Sequence, residues 1–235
     1  GQDTPVEDIE PDEFDAVFVH EFGHFSGLDH SQINVNCLTD CGPDDLEGLP
    51  TMFPFLFGSV QLDLATDDIA WISRLYPDPA AVTGFAATHG TITGVVFFTD
   101  GESHAQLVNV IARPVDTGNN EDRTSAASGV SGNKFRVIHG NPIIDVPEDP
   151  FGTEAPGDIG LYEIPVPPGN YMIEVETIDP AFTEGSSVAG PILIPMPGTA
   201  PAPTGPINVV AGAVDSGNDV TLIGTDPRFD QFEGP

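Results

Sequence analysis

Hydrophobic and polar positions follow two different periods along this chain, and the period changes near residue 78. Before it, a first helix is predicted to begin at Pro11, which suits a first helical position. This helix is expected to end near Gly27, because glycine takes the left-handed conformation at little cost. One of its faces is marked by residues at three- and four-residue steps, namely Phe14, Val17, Phe18, Glu21, His24 and Phe25.

A second helix is predicted from Thr66 to Leu75 or Tyr76, and Pro77 ends it. Its apolar positions Ile69 and Ile72 are expected to face inward with Leu75. The segment before residue 78 is therefore predicted to be helical.

After residue 78 the chain changes to short β-rich runs that are separated by glycine- and proline-containing turns. Seven strands at this spacing indicate an antiparallel sandwich. The sequence thus predicts an α+β chain in which residues 1–78 form a helical, histidine-bearing domain and residues 79–235 form the sandwich. The predicted strands are Gly90–Phe98, Gln106–Pro114, Lys134–His139, Leu161–Val166, Tyr171–Ile178, Ile207–Ala213 and Asp219–Ile223.

The composition of the chain excludes two classes of partner. Asp and Glu number 37 against 6 Lys and Arg, which gives a formal net charge of -31. Binding to nucleic acid depends on Lys and Arg that neutralise phosphates, so a nucleic-acid partner is not expected. No apolar run reaches the roughly 20 residues that a membrane helix needs, so no membrane span is expected either. Apolar residues make up 39% of the chain, which favours folded cores over disorder.

The string HEFGHFSGLDH, which begins at His20, carries the chemistry of the sequence. His20 and His24 lie four residues apart, so on a helix they project from one face and can reach a single zinc ion. Gly27 breaks the helix and allows His30 to return as a third ligand. Glu21 lies beside His20 and can take a proton from a metal-activated water. The spacing predicts a catalytic zinc site with Glu21 as general base.

This motif, with TMFP at 51–54 and LATDDIAWISRLYP at 64–77, resembles the metzincin zinc peptidases and among them the matrixins. In matrixins these segments are the zinc helix, the Met-turn and the C-terminal helix of the catalytic domain. The resemblance implies that Met52 lies beneath the zinc and that Phe53, Pro54 and Phe55 border the pocket for the side chain after the scissile bond. It implies a secreted zinc-dependent endopeptidase that cleaves proteins or peptides in the extracellular space.

One feature departs from the matrixin pattern. A matrixin catalytic domain has a twisted sheet before the zinc helix, whereas only 19 residues precede His20 here and they carry no strand pattern. We therefore expect the chain to be the C-terminal part of a longer precursor that supplies the signal peptide.

Cys37 and Cys41 flank the tripeptide Leu-Thr-Asp in the loop after His30. In a secreted protein they are expected to form a small disulfide, and a cysteine-based zinc site would need more ligands than this loop offers. The acidic residues around them make calcium a further candidate cofactor, although the loop lacks EF-hand spacing and a solvated acidic surface explains it equally well. These acidic residues are Asp40, Asp44, Asp45 and Glu47.

The β-rich part resembles the carboxypeptidase regulatory-like, or transthyretin-like, sandwiches of secreted bacterial proteins. The resemblance rests on GTITGVV at 90–96, the Asp100-Gly101 turn and LYEIPVPPGNY at 161–171. It implies a companion domain that binds an extracellular glycan or protein and carries no catalytic group. The alternative function for the whole chain is an adhesion or binding module with a structural or vestigial zinc site. The intact Glu21 argues against that alternative, because a structural site has no use for the carboxylate.

Overall fold

The computed structural model describes residues 11–28, 30–31, 33–34, 46, 48–80, 82–106, 108–115, 125–132, 156–176 and 200–224. Its helices are α1 (Pro11–Phe25), α2 (Thr66–Leu75) and α3 (Phe85–Thr88), with a 3-10 turn at Gly58–Gln61. Its strands are β1 (Gly90–Phe97), β2 (Asn109–Pro114), β3 (Ala127–Val130), β4 (Leu161–Val166), β5 (Gly169–Glu176), β6 (Thr204–Val209), β7 (Val214–Ser216) and β8 (Val220–Thr221).

The predicted α+β class is wrong, because the fold is mostly β. Two four-stranded sheets form the main body of the described residues. The first has the order β4-β1-β7 with β8 also paired to β1, and the second has the order β3-β2-β5-β6. The chain is therefore not the helical part of an α+β metzincin catalytic domain. The sandwich is also not wholly antiparallel, since β1 pairs with β7 and β8 in parallel.

The main hydrophobic core lies between the two sheets. Alternate side chains along the strands enter it, for example Val110 and Ala112 of β2. Because the side-chain period of a strand is two, Ile111 between them points to the opposite face of its sheet. There it forms a separate buried cluster with Ile33 and Ala126. Ile33 belongs to the histidine-bearing segment, so that segment packs on the outer face of the second sheet.

Helix α1 buries its small side and exposes its aromatic side. Its buried residues are Ala16 and His20, and it lies against the 3-10 turn at Gly58–Gln61. The aromatic stripe of the helix, formed by Phe14, Phe18, Phe22 and Phe25, is exposed. Within this helix the apolar period therefore did not identify the buried side.

Helix α2 has the bounds expected from the sequence but an unexpected inner face. Ile69, predicted to face inward, is 43% exposed. The buried residues are instead Asp67, Asp68 and Ala70. The two carboxylates point inward because backbone N–H groups of neighbouring segments need acceptors there. The helix packs against β3 and β4, so contacts cross from residues 1–78 to the sandwich.

No helix among the described residues has the length and apolar character needed to cross a lipid bilayer.

Candidate metal centre

Three histidine side chains converge at the C-terminal end of α1. The Nε2 atom of His30 lies 3.3 Å from Nε2 of His20 and 3.1 Å from Nε2 of His24. Four ligands at roughly 2.0–2.1 Å from a tetrahedral ion stand about 3.3 Å from one another, so these separations fit one ion. The three side chains can hold a metal ion. The structure thus brings together the three ligands predicted from the spacing.

Backbone carbonyls orient two of the three rings. Nδ1 of His20 donates to the carbonyl oxygen of Thr51 at 2.7 Å, and Nδ1 of His24 donates to that of Leu28 at 2.9 Å. A carbonyl oxygen only accepts, so each ring carries its proton on Nδ1 and leaves the Nε2 lone pair free for a cation. The hydrogen bonds therefore select the tautomer that a metal ligand requires.

The end of α1 explains how His30 reaches the other two rings. Gly27 has φ 92°, and its N–H donates to the carbonyl of His24 at 2.9 Å. The N–H of Leu28 donates to the carbonyl of Gly23 at 3.0 Å. This pair of bonds is a Schellman motif, which closes a helix on a left-handed residue. The chain reverses here, so His30 returns beside the last turn of the helix, as the sequence predicted.

The electrostatics of the site keep His30 neutral. Burial, followed by the charges of His24 and His20, lowers the pKa of His30 from 6.5 to about 4. Neutral imidazole is the form that binds a metal, so no proton competes at this ring near pH 7.

The turn that contains Met52 lies directly against the histidine helix. Met52 is buried, and its carbonyl accepts from the N–H of Ser31 at 2.8 Å. A Cβ atom at Gly23 would overlap with Sδ of Met52. Only glycine fits at position 23 while Met52 keeps this place beside the helix.

Asp68 is a residue of the site that the spacing of the histidine motif does not indicate. Its carboxylate accepts from the backbone N–H of Thr51 at 2.8 Å and of Ala65 at 2.9 Å. It also accepts from the N–H of Met52 at 3.1 Å. Burial raises the pKa of Asp68, although these three donors lower it. Because the carbonyl of Thr51 accepts from His20, the carboxylate is linked to a metal ligand through one peptide unit.

Asp67 contacts the sandwich. Its Oδ1 atom accepts from the N–H of Ser128 at 2.7 Å. Burial, with a smaller contribution from the charge of Asp68, raises the pKa of Asp67 from 3.8 to about 7. Between about pH 4 and pH 7, Asp67 therefore carries a proton in the native protein but not in the unfolded chain.

We expect Asp67→Asn to remove a pH-dependent part of the stability. As pH rises from about 4 to 7, the free energy of unfolding of the wild type should fall relative to that of Asp67→Asn, by at most about 4 kcal/mol. The amide keeps an oxygen acceptor for Ser128 but does not ionise. Urea unfolding of both proteins at pH 5, 7 and 9 measures the difference. A difference that is the same at all three pH values would contradict the assignment.

The other predicted residues occupy different surroundings. Glu21 is exposed on α1. Phe53 is buried against Leu49, whereas Phe55 is 48% exposed and Pro54 is half-buried. The role of the last three in a substrate pocket stays a prediction. Cys37, Cys41 and the acidic residues Asp40, Asp44, Asp45 and Glu47 lie outside the described residues.

Comparison with known proteins gives no family assignment. No family model matches the chain, and no curated protein matches it. Among solved structures, a similar chain is the dioxygenase domain of a dioxygenase and carbohydrate-binding protein fusion from the cellulolytic bacterium Streptomyces sp. SirexAA-E. The identity is 13% and the TM-score 0.27, over 58% of this chain and 80% of that one. A TM-score this low does not establish a shared fold.

Proposed function

We propose that this protein is a secreted zinc-dependent endopeptidase of matrixin-like chemistry. The observation that carries the proposal is the convergence of three Nε2 atoms at 3.1–3.3 Å. Two of the rings are held in the ligand tautomer by Thr51 and Leu28. Zinc suits three neutral imidazoles at tetrahedral spacing. The likeness to matrixins is limited to the histidine motif and the turn that contains Met52. Secretion to the extracellular space is a further part of the proposal.

The residues around the triad have distinct roles in this proposal. A zinc ion held by three histidines supplies a Lewis acid and brings the pKa of a bound water toward neutrality. Glu21 follows His20 directly and is exposed, so its carboxylate is accessible to water. It accepts the proton of the attacking water and delivers it to the leaving amine. Thr51 and Leu28 keep the ligand rings in place during the reaction.

Metal analysis of the purified protein tests the proposal first. One zinc per chain is expected, with hydrolysis of an unstructured protein substrate that a chelator abolishes and added zinc restores. His24→Ala should lose both metal and hydrolysis. A wild-type protein that binds no metal would refute the site, and one that binds zinc but cleaves none of a broad peptide library would refute the peptidase assignment.

The charge of the protein leads to a prediction about substrates. With a net charge of -31, the surface repels acidic peptides and attracts basic ones. We expect kcat/KM for a peptide with basic flanks to exceed that for its acidic counterpart by about 10-fold at low ionic strength. The ratio should shrink toward one at 0.5 M salt, because the Debye length falls to about 4 Å. Equal rates at low salt would contradict this prediction.

A second candidate is an extracellular binding module that recognises a glycan or a protein and whose metal is structural. The mostly β fold, with its two four-stranded sheets, favours it. In that case metal removal lowers the thermal stability, while neither the wild type nor any variant hydrolyses peptides. Calcium stays a prediction, since the acidic loop lies outside the described residues.

A further inference from the structure

Helix α2 packs against one edge of the second sheet. Strand β3 is one of the two outermost strands of that sheet, and its Ser128 stands opposite Ile111 of β2. The N–H of Ser128 donates to Asp67 at 2.7 Å. The carbonyl of Ser128 accepts from Nε1 of Trp71 at 2.8 Å. Two side chains of one helix thus satisfy the outward N–H and carbonyl groups of Ser128. On an edge strand these backbone groups would otherwise need another partner.

The segment that follows His30 is fixed to the same corner of the sandwich. Ile33 lies three residues after this ligand and has no exposed surface. It packs against Ile111 and Ala126, which belong to β2 and to the residues just before β3. Between Ile33 and His30, the N–H of Ser31 bonds to the carbonyl of Met52 at 2.8 Å. Both the loop with the third ligand and helix α2 therefore rest on the β2–β3 edge.

Neighbouring carboxylates of α2 connect this edge to the metal ligands. Asp67 bonds to the sandwich, and Asp68 bonds to the N–H groups of Thr51 and Met52. The carbonyl of Thr51 in turn accepts from Nδ1 of His20 at 2.7 Å. A displacement of α2 from β3 moves Asp68, and with it the peptide that orients His20.

We propose that the β-sandwich is a structural part of the metal centre, in which the β2–β3 edge holds α2 and the His30 loop at the positions that metal binding requires. The proposal rests on the metal-binding part of the proposed function and is independent of the peptidase part. It differs from the expectation that the sandwich is a separate companion domain.

Ser128→Pro in the full chain is the direct test. Proline removes the outward N–H, and its ring occupies the place of Asp67 Oδ1. The bonds between β2 and β3 remain, because the N–H of Ser128 points away from β2. We expect metal affinity to fall 10- to 100-fold, measured by competition with a chromophoric chelator. The visible spectrum of the Co²⁺ form should also change, since it reports the coordination geometry of the ion.

A matched control separates metal positioning from general stability. Val175→Ala makes a cavity in the core between the sheets, where Val175 of β5 is buried and which is separate from the cluster of Ile33, Ile111 and Ala126. This variant should lower the thermal midpoint but keep wild-type metal affinity and the wild-type Co²⁺ spectrum. Trp71→Phe keeps an aromatic side chain but removes the indole N–H that bonds to Ser128, so a several-fold loss of affinity is expected even if Ser128→Pro fails to fold.

The outcomes distinguish this inference from the proposed function. Folded Ser128→Pro or Trp71→Phe protein with wild-type affinity and spectrum would overturn it. An equal loss of affinity in Val175→Ala would also overturn it, because the effect would then come from stability alone. A wild type that binds no metal would instead refute the metal site, and a wild type that binds metal without hydrolysis would leave this inference standing.

Discussion

Glu21→Gln is expected to lower kcat/KM for peptide hydrolysis by about 10²–10⁴-fold while the metal content stays at the wild-type level. The amide has nearly the volume of the carboxylate but does not accept a proton at neutral pH. The ligand rings depend on Thr51 and Leu28 for their orientation rather than on Glu21, so the metal site should persist. A fluorogenic peptide gives the rate, and metal analysis of the same preparation gives the zinc content.

Glu13→Gln is the matched control for this substitution. Glu13 is also exposed on α1 and lies in its first turn, away from the histidines. Its replacement removes the same charge from the same helix and should leave hydrolysis within about twofold, since exposed charges far from a site act weakly. Equal activity of Glu21→Gln and the wild type would exclude Glu21 as the base. Loss of zinc in Glu21→Gln would show instead that this residue supports metal binding.

The sequence predicted strands best where the alternation is regular and the turns are tight. Strand β4 has the predicted bounds, and β1 ends one residue earlier than predicted. Strand β3 is absent from the strands predicted from the sequence. Its sequence ASGV has little apolar character, and it is a strand because it pairs with β2 and receives α2 on its other side. Such pairing depends on residues far away in the sequence, so local pattern does not reveal it.

The fold class was wrong for a related reason. The helical spacing of apolar residues before residue 78 correctly predicted α1 and α2. It did not indicate which faces of these helices are buried, or how much of the whole fold is sheet. On α2 the apolar period favoured Ile69, whereas the structure buries Asp67 and Asp68 because backbone donors of other segments face them. Hydrogen bonds to distant segments thus outweigh the preference of carboxylates for water and of apolar side chains for the protein interior.

The candidate site could be predicted as far as it depends on local spacing. A helix of 3.6 residues per turn places His20 and His24 together, and a glycine after it allows His30 to return. Thr51 lies 31 residues from His20, and Asp68 lies 17 residues from Thr51. No period connects these positions, so the residues that orient the ligands became apparent only in three dimensions.

Asp68→Asn is expected to weaken metal binding about 10- to 100-fold, the usual effect of losing a group that orients a ligand. Oδ2 of Asp68 accepts from both Thr51 and Ala65, while Oδ1 accepts from Met52. An amide has one oxygen, so its NH₂ group must face at least one backbone N–H. The resulting unsatisfied buried donor costs about 1–3 kcal/mol of stability and displaces the peptide that holds His20.

Asp67→Asn provides the matched control, because it replaces the neighbouring buried carboxyl group but keeps the oxygen acceptor for Ser128. Its metal affinity should equal that of the wild type, whereas Asp68→Asn should show the loss together with a changed Co²⁺ spectrum. Asp68→Glu should restore little, since the longer side chain moves all three acceptor contacts at once. Equal affinity of Asp68→Asn and Asp67→Asn would mean that the carboxylate stabilises the Met-turn without positioning His20. A selective loss in Asp68→Asn would establish Asp68 as a positioning residue, because the two variants make the same replacement in the same buried turn of α2.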